Sequence, residues 1–83
     1  MTIYQLTTEN CIGAYHSIYF INIESAYDYI RDTEFDAICG LYEVNTAVDN
    51  DGVITATKNR IARPRSAREK KYNITNKNEN YID

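Results

Sequence analysis

One helical pattern lies between two pairs of strand patterns, and this order constrains the fold more than any other feature of the sequence. Apolar residues recur at helical spacing between Ile23 and Ile30 and predict a helix over 23–33. Stretches rich in strand-forming residues occupy 3–8, 14–21, 37–44 and 53–57. This order predicts an α+β fold, in which a small antiparallel ββαββ sheet carries one helix packed on it.

Short local signals mark the ends of these elements. Asn22 stands where a helix N-cap is expected, and Glu24 follows in the first turn, where a negative charge favours the helix dipole. Residues 49–52, with the sequence Asp-Asn-Asp-Gly, predict the tight turn of a hairpin. Gly40 lies inside the third strand and predicts a bulge or a close backbone approach.

The length of the chain limits the stability it can reach alone. Its 83 residues suffice for one domain, and a domain this small buries only about 60% of its unfolded surface. A small open sheet also leaves unpaired edges, so we expect a homodimer. The sequence shows no basic n-region followed by an apolar h-region and no apolar run of membrane-spanning length, so we expect neither a secretory leader nor a membrane span. We therefore expect a cytoplasmic protein with Cys11 and Cys39 reduced.

Charge is divided between two parts of the chain. Residues 1–57 contain nine acids and one base, Arg31, whereas residues 58–71 contain seven bases and one acid, Glu69. We expect an acidic ββαββ domain over 1–57 and an extension over 58–83 that is first basic, then rich in asparagine, and partly mobile.

The basic segment is the strongest candidate for a binding site. Its cationic groups suit phosphate, and an adjacent tyrosine can stack on a base, whether of RNA or of DNA. The expected nucleic-acid site comprises Lys58, Arg60, Arg63, Arg65, Arg68, Lys70, Lys71 and Tyr72. Within it, Ser66 and Glu69 match a capping box and predict a short helix through Tyr72. Two alternatives stay open: the segment contacts the acidic domain or another subunit, or it is simply a solvated face.

Acidic residues in the helix and just after it form a second candidate surface. Asp28, Asp32, Glu34 and Asp36 suit a host protein with a basic surface. The alternative is an ordinary exposed helix face followed by a loop.

The sequence gives little support for catalysis, for a metal or for a cofactor. The single histidine, His16, lies in a strand pattern, and neither a nucleophile elbow nor a phosphate-binding glycine loop is present. The turn at 49–52 does not fit the ligand positions of a calcium loop. Cys11, His16 and Cys39 lack the paired spacing of a structural zinc site. We therefore expect a protein that is not an enzyme and that binds no metal and no cofactor.

Four short segments, at 3–9, 19–22, 26–30 and 41–44, carry a resemblance to a known group of proteins. The first segment is a strand that ends in threonines, and the second is a strand that ends near a phenylalanine. The third is a helix with an alanine and a terminal aromatic residue, and the fourth is a strand with a tyrosine and a glutamate. In these features residues 3–45 resemble small phage-type ββαββ early proteins of the host-takeover and anti-defence kind. The resemblance implies an inhibitor that acts in the host cytoplasm and disables a defence protein, such as an RNA-cleaving toxin or a nuclease. That group has no assigned catalytic residues.

Three functions are consistent with these observations. The first is a phage-encoded inhibitor whose acidic residues contact the defence protein while the basic segment holds RNA. The second is a nucleic-acid-binding regulatory protein without a protein target. The third is a dimeric structural or assembly protein, in which the basic segment meets the acidic domain of a neighbour.

Overall fold

Four antiparallel strands and a helix packed on them confirm the expected α+β fold. The computed structural model describes residues 1–32 and 37–82. Its elements are β1 (Thr2–Glu9), β2 (Tyr15–Phe20), α1 (Ile23–Asp32), β3 (Ala37–Val48), β4 (Ile54–Ala62) and α2 (Ala67–Lys71).

The strand order determines where the helix lies. The strands are arranged β2-β1-β3-β4, and every neighbouring pair is antiparallel. Because β1 separates β2 from β3, these two run parallel to each other, and α1 connects them. The helix packs against β2 and β1. It therefore covers one half of the sheet, while β4 forms the opposite edge.

The predicted helix start and the predicted bulge are both confirmed. Asn22 Oδ1 accepts the backbone N–H of Ser25 at 2.8 Å, which is the expected N-cap bond. In β3, the pairing with β1 skips Cys39, which is the extra residue of a bulge beside Gly40. A Cβ atom on Gly40 would lie 3.2 Å from the ring of Tyr42. The glycine thus lets this ring lie close against the strand.

The predicted hairpin turn joins β3 to β4. Asp49 Oδ1 accepts the N–H groups of Asp51 at 2.8 Å and Val53 at 2.9 Å. Gly52 has a φ of 80°, a conformation that glycine adopts at little cost.

Both strands of this hairpin are longer than the sequence indicated. The third strand was expected to end at residue 44 and extends to Val48, and the fourth was expected over 53–57 and extends to Ala62. Lys58 and Asn59 are poor strand formers, but pairing with β3 holds them in the ladder. The expected boundary between residues 57 and 58 therefore falls inside β4.

The core lies between α1 and the sheet and includes a residue from the end of the chain. Leu6 and Leu41 face each other on β1 and β3 and are fully buried. The buried cluster consists of Leu6, Ala26, Leu41, Ala62 and Ile82. Ile82 comes from the expected extension, so part of that extension belongs to the packed structure.

Backbone hydrogen bonds attach the C-terminal segment, residues 76–82, to the end of β4. The N–H of Arg63 donates to the carbonyl of Asn80 at 3.1 Å, and the N–H of Ile82 donates to the carbonyl of Arg63 at 2.9 Å. The Asn80 amide also donates to the Ile61 carbonyl at 3.1 Å. The segment therefore covers the outer edge of β4 only at the C-terminal end of the strand.

The predicted short helix is confirmed as α2. The Ser66 hydroxyl accepts the N–H of Glu69, and the Glu69 carboxylate accepts the N–H of Ser66, which completes the capping box. Within the described ranges, no helix has the length and apolar character needed to cross a membrane.

Candidate nucleic-acid interface

The sheet has an open face that α1 does not cover. Successive strand residues point to opposite faces, so Gln5 and Tyr42 lie on the face opposite Leu6 and Leu41. Across the sheet, Gln5 pairs with Tyr19 on β2 and with Tyr42 on β3, and Tyr42 pairs with Arg60 on β4. These residues form one row across the open face, in the order Tyr19, Gln5, Tyr42 and Arg60.

Contacts within the open face fix several of these side chains. The Gln5 amide donates to Ser17 Oγ at 3.0 Å and to the Tyr19 hydroxyl at 3.3 Å. The Lys58 ammonium lies over the Tyr42 ring, 4.0 Å from its centroid. A cation in this position is attracted by the negative face of the ring. The open face therefore combines tyrosine rings with a cation near the β4 edge.

The eight residues of the expected nucleic-acid site are spread over three parts of the structure. Lys58 and Arg60 lie on β4, and Arg63 and Arg65 lie between β4 and α2. The others belong to α2 or follow it directly: Arg68, Lys70, Lys71 and Tyr72. The sequence segment is continuous, but its cations do not lie on a single element.

Arg63 is the centre of an internal ion-pair network. Its guanidinium donates to both carboxylate oxygens of Glu69 at 2.8 Å and to Glu79 at 2.6 and 2.9 Å. The ring of Tyr81 lies 4.9 Å away, and the side chain is only 22% exposed. Because its donors are engaged, the geometry favours a structural role for Arg63 over phosphate binding.

The network shifts the pKa values of its members away from their ordinary values. Hydrogen bonds from Arg63 hold the pKa of the Glu69 carboxyl well below its usual range, and the Ser66 backbone N–H adds to this effect. Hydrogen bonds from Arg63 also lower the pKa of Glu79. The two carboxylates in turn raise the pKa of Arg63. All three groups therefore stay charged near neutral pH.

Apart from Arg65, which is partly buried, the remaining cations are more accessible than Arg63. Arg60 contacts Glu79 at 3.4 Å, and its side chain is 50% exposed. Such a long, exposed ion pair is weak and leaves the guanidinium available for a phosphate. Lys58, Arg68, Lys70 and Lys71 are exposed, and Lys71 Nζ lies 5.4 Å from the ring centroid of Tyr72.

A polar groove is lined by residues from the end of β4 and from the C-terminal segment. It has a volume of about 400 Å³. Its lining comprises Arg60, Ile61, Ala62, Arg63, Asn78, Glu79 and Asn80. The charged groups of the groove form ion pairs with one another. The arrangement therefore suits the attachment of the C-terminal segment to β4 better than it suits a reactive site.

The expected acidic surface is only partly described by the structure. Asp28 and Asp32 lie on α1, where Arg31 contacts them at 2.9 and 3.1 Å. Asp32 first, and Asp28 second, raise the pKa of Arg31. Glu34 and Asp36 lie outside the described residues. The described acidic surface is thus a small, solvated set of carboxylates with one arginine between them.

The three possible metal ligands of the sequence do not form a cluster. His16 contacts the side-chain amide of Asn10 at 3.3 Å, and Cys11 and Cys39 are unpaired thiols. Over residues 1–32 and 37–82, no three histidine, cysteine or acidic side chains come together as metal ligands would.

Comparison of the chain with protein-family models, with curated proteins and with solved structures found no match.

Proposed function

We propose that the chain is a non-enzymatic binding protein that engages RNA with its basic side and a basic protein with its acidic side. The strand order is the observation that carries this proposal. It places α1, with Asp28 and Asp32, over β1 and β2, and it places Lys58 and Arg60 on the opposite edge of the sheet. Opposite charges are thereby separated and can serve different partners.

The basic side suits the phosphates of a nucleic acid. Lys58 and Arg60 on β4 and the cations of α2 are accessible to solvent. Each phosphate they neutralise would release a counterion, so affinity should fall steeply with salt.

The acidic side suits a partner that itself binds RNA. An RNA-cleaving toxin or a nuclease presents a basic surface to its substrate, and carboxylates on α1 complement such a surface. Together with the resemblance of residues 3–45, this supports a phage-encoded inhibitor that neutralises a host defence protein in the cytoplasm.

A tagged pull-down from bacterial lysate, run with and without RNase, tests both sides together. We expect one protein to survive RNase treatment with the wild-type chain. Asp28→Asn with Asp32→Asn should reduce capture of that protein, whereas Lys58→Glu with Arg60→Glu should reduce capture of RNA. Loss of all partners after RNase would instead indicate a nucleic-acid-binding regulator without a protein target. Unchanged capture by both double variants would contradict the proposal.

A homodimer is the second candidate, and the free edge of β4 favours it. Residues 54–60 are all exposed, and the C-terminal segment pairs with the outer side of the chain only near Arg63. An unpaired strand edge can add a strand from a second copy.

Light scattering tests the dimer directly. A dimer of this 9.6 kDa chain would have twice that mass. Ala56→Lys should restore the monomer mass, because a cation on an edge strand opposes edge-to-edge pairing. A wild-type chain that stays monomeric at all concentrations would exclude the dimer.

A further inference from the structure

We infer that the open face of the sheet is a stacking platform for single-stranded nucleic acid, with Tyr19 and Tyr42 under the bases and Lys58 and Arg60 at the phosphates. This inference rests on the RNA-binding half of the proposed function and assigns it to a defined surface.

The spacing of the two tyrosines suits this role. Tyr19 and Tyr42 are both register partners of Gln5, so one strand, β1, lies between them. With neighbouring strands about 4.8 Å apart, the two positions are separated by about 10 Å. Four-stranded sheets that bind RNA stack two or three bases on aromatic side chains of the sheet.

Tyr42 is held in a position suited to stacking. Because Gly40 has no side chain, the Tyr42 ring can lie close to the backbone of the strand. A Cβ atom at position 40 would crowd the ring. Lys58 Nζ already lies over the ring, 4.0 Å from its centroid. A base stacked on this face of Tyr42 would take the place of the Lys58 ammonium, and the long lysine side chain can turn toward the adjoining phosphate.

Tyr19 is also oriented by its neighbours and remains accessible. The Gln5 amide donates to its hydroxyl at 3.3 Å, and the residue is 57% exposed. A ring held at its hydroxyl end loses less freedom when a base stacks on it than an unrestrained ring would.

The charge of the face indicates a polyanion as its occupant. Lys58 and Arg60 are at one side of the row, whereas Glu9 is at the far end of β1, where it pairs with Tyr15. Next to the row, Ile3 and Val44 pair on the same face, and Val44 is buried. The row itself combines tyrosine rings, an amide and cations, and this combination fits bases and phosphates better than it fits the apolar core of a subunit interface.

This assignment differs from the sequence-based expectation that Tyr72 stacks on a base. Tyr72 is the C-cap of α2 and has Lys71 near its ring. It lies outside the row on the sheet. The two tyrosine environments can therefore be separated by experiment.

Fluorescence anisotropy with labelled oligouridylate of about 12 nucleotides measures the contribution of each ring. Tyr19→Leu and Tyr42→Leu should each weaken binding about tenfold, because each removes one stacked base. Tyr27→Leu, on α1 and outside the row, is the matched control and should bind as the wild type does. Weaker binding by Tyr72→Leu alone would place the stacked base at α2 and overturn the assignment to the sheet. Circular dichroism checks that each variant keeps its sheet. An oligothymidylate of the same length shows whether the face distinguishes RNA from DNA.

Salt dependence tests the phosphate ligands. Lys58→Gln should reduce the slope of log affinity against log salt by about 0.7, the value for one phosphate contact with a single strand. Lys77→Gln removes the same charge from the exposed C-terminal segment and should leave the slope unchanged.

The outcomes separate the inference from the function on which it rests. If the wild-type chain binds oligouridylate and the Tyr19 and Tyr42 variants bind equally well, the stacking platform is excluded while RNA binding stands. If the wild-type chain binds neither oligonucleotide, both the platform and the RNA-binding half of the proposed function are wrong.

Discussion

Arg63 shows how one residue of a basic segment can have a role different from its neighbours. Sequence composition grouped it with six other bases as a phosphate ligand. In the structure its guanidinium joins Glu69 in α2 to Glu79 in the C-terminal segment. No local pattern identifies this role, because Glu79 is 16 residues away along the chain and becomes a neighbour only in the folded molecule.

Arg63→Gln should destabilise the fold more than Arg60→Gln does. The first change leaves two half-buried carboxylates without their cation, whereas the second removes a long and exposed contact. Urea unfolding followed by circular dichroism measures the difference. Equal midpoints for the two variants would show that the Arg63 network contributes little.

The same network should make stability fall in acid. Glu69 and Glu79 have folded-state pKa values below their ordinary value of 4.5. The stabilisation they supply is therefore fully present above the unfolded pKa and is lost as the pH falls through the folded pKa. The free energy of unfolding should decrease as the pH is lowered below about 4.5.

Glu69→Gln provides the control for this pH dependence. It removes one of the two titrating groups, so the decrease in acid should be smaller in the variant than in the wild type. Identical pH profiles would assign the acid sensitivity to other carboxylates.

At the scale of elements, local signals predicted what depends on neighbouring residues. The N-cap at Asn22, the capping box from Ser66 and the turn at 49–52 are formed by residues a few positions apart, and all three were predicted from the sequence. The length of β4 was not, because Lys58 to Arg60 are held by pairing with β3. The row on the open face was also not predicted. The alternation of side chains shows which residues of one strand share a face, but it does not give the register between strands, which decides the residues that lie side by side.

Asn22→Ala tests the contribution of the N-cap to α1. Losing the bond to the Ser25 N–H should lower the free energy of unfolding by about 1 kcal/mol. Asn59→Ala, at an exposed position on β4, is the matched control and should have a smaller effect. Chemical denaturation measures the free energy of unfolding of both variants. An equal loss of this free energy in Asn59→Ala and in Asn22→Ala would argue against a stabilising N-cap.

At the scale of the whole molecule, the chain is extended, and the carboxylates of α1 lie away from the cations of β4. The structure measures 51 × 31 × 23 Å, with a radius of gyration of 14.8 Å, against about 12 Å for a compact domain of this length. The shape gives the sheet a broad open face on one side and the helix with its acidic residues on the other. The division of charge was visible in the sequence, but the placement of Asp28 and Asp32 on the side of the sheet away from Lys58 and Arg60 required the structure.

Ile82→Ala tests whether the C-terminal segment belongs to the core. Ile82 is 7% exposed and packs in the buried cluster, so its truncation should lower the free energy of unfolding by about 2 kcal/mol. Ile74→Ala is the control, because Ile74 is exposed. If both variants unfold at the wild-type midpoint, the end of the chain is dispensable for stability.

The most direct test of the central claim is an NMR titration of the labelled chain with single-stranded oligouridylate. We expect the amide shifts of α1 to stay constant, while those along the open-face row and at neighbouring Lys58 change. The row comprises Tyr19, Gln5, Tyr42 and Arg60. Changes confined to α2 and Tyr72, or no changes at all, would contradict this expectation.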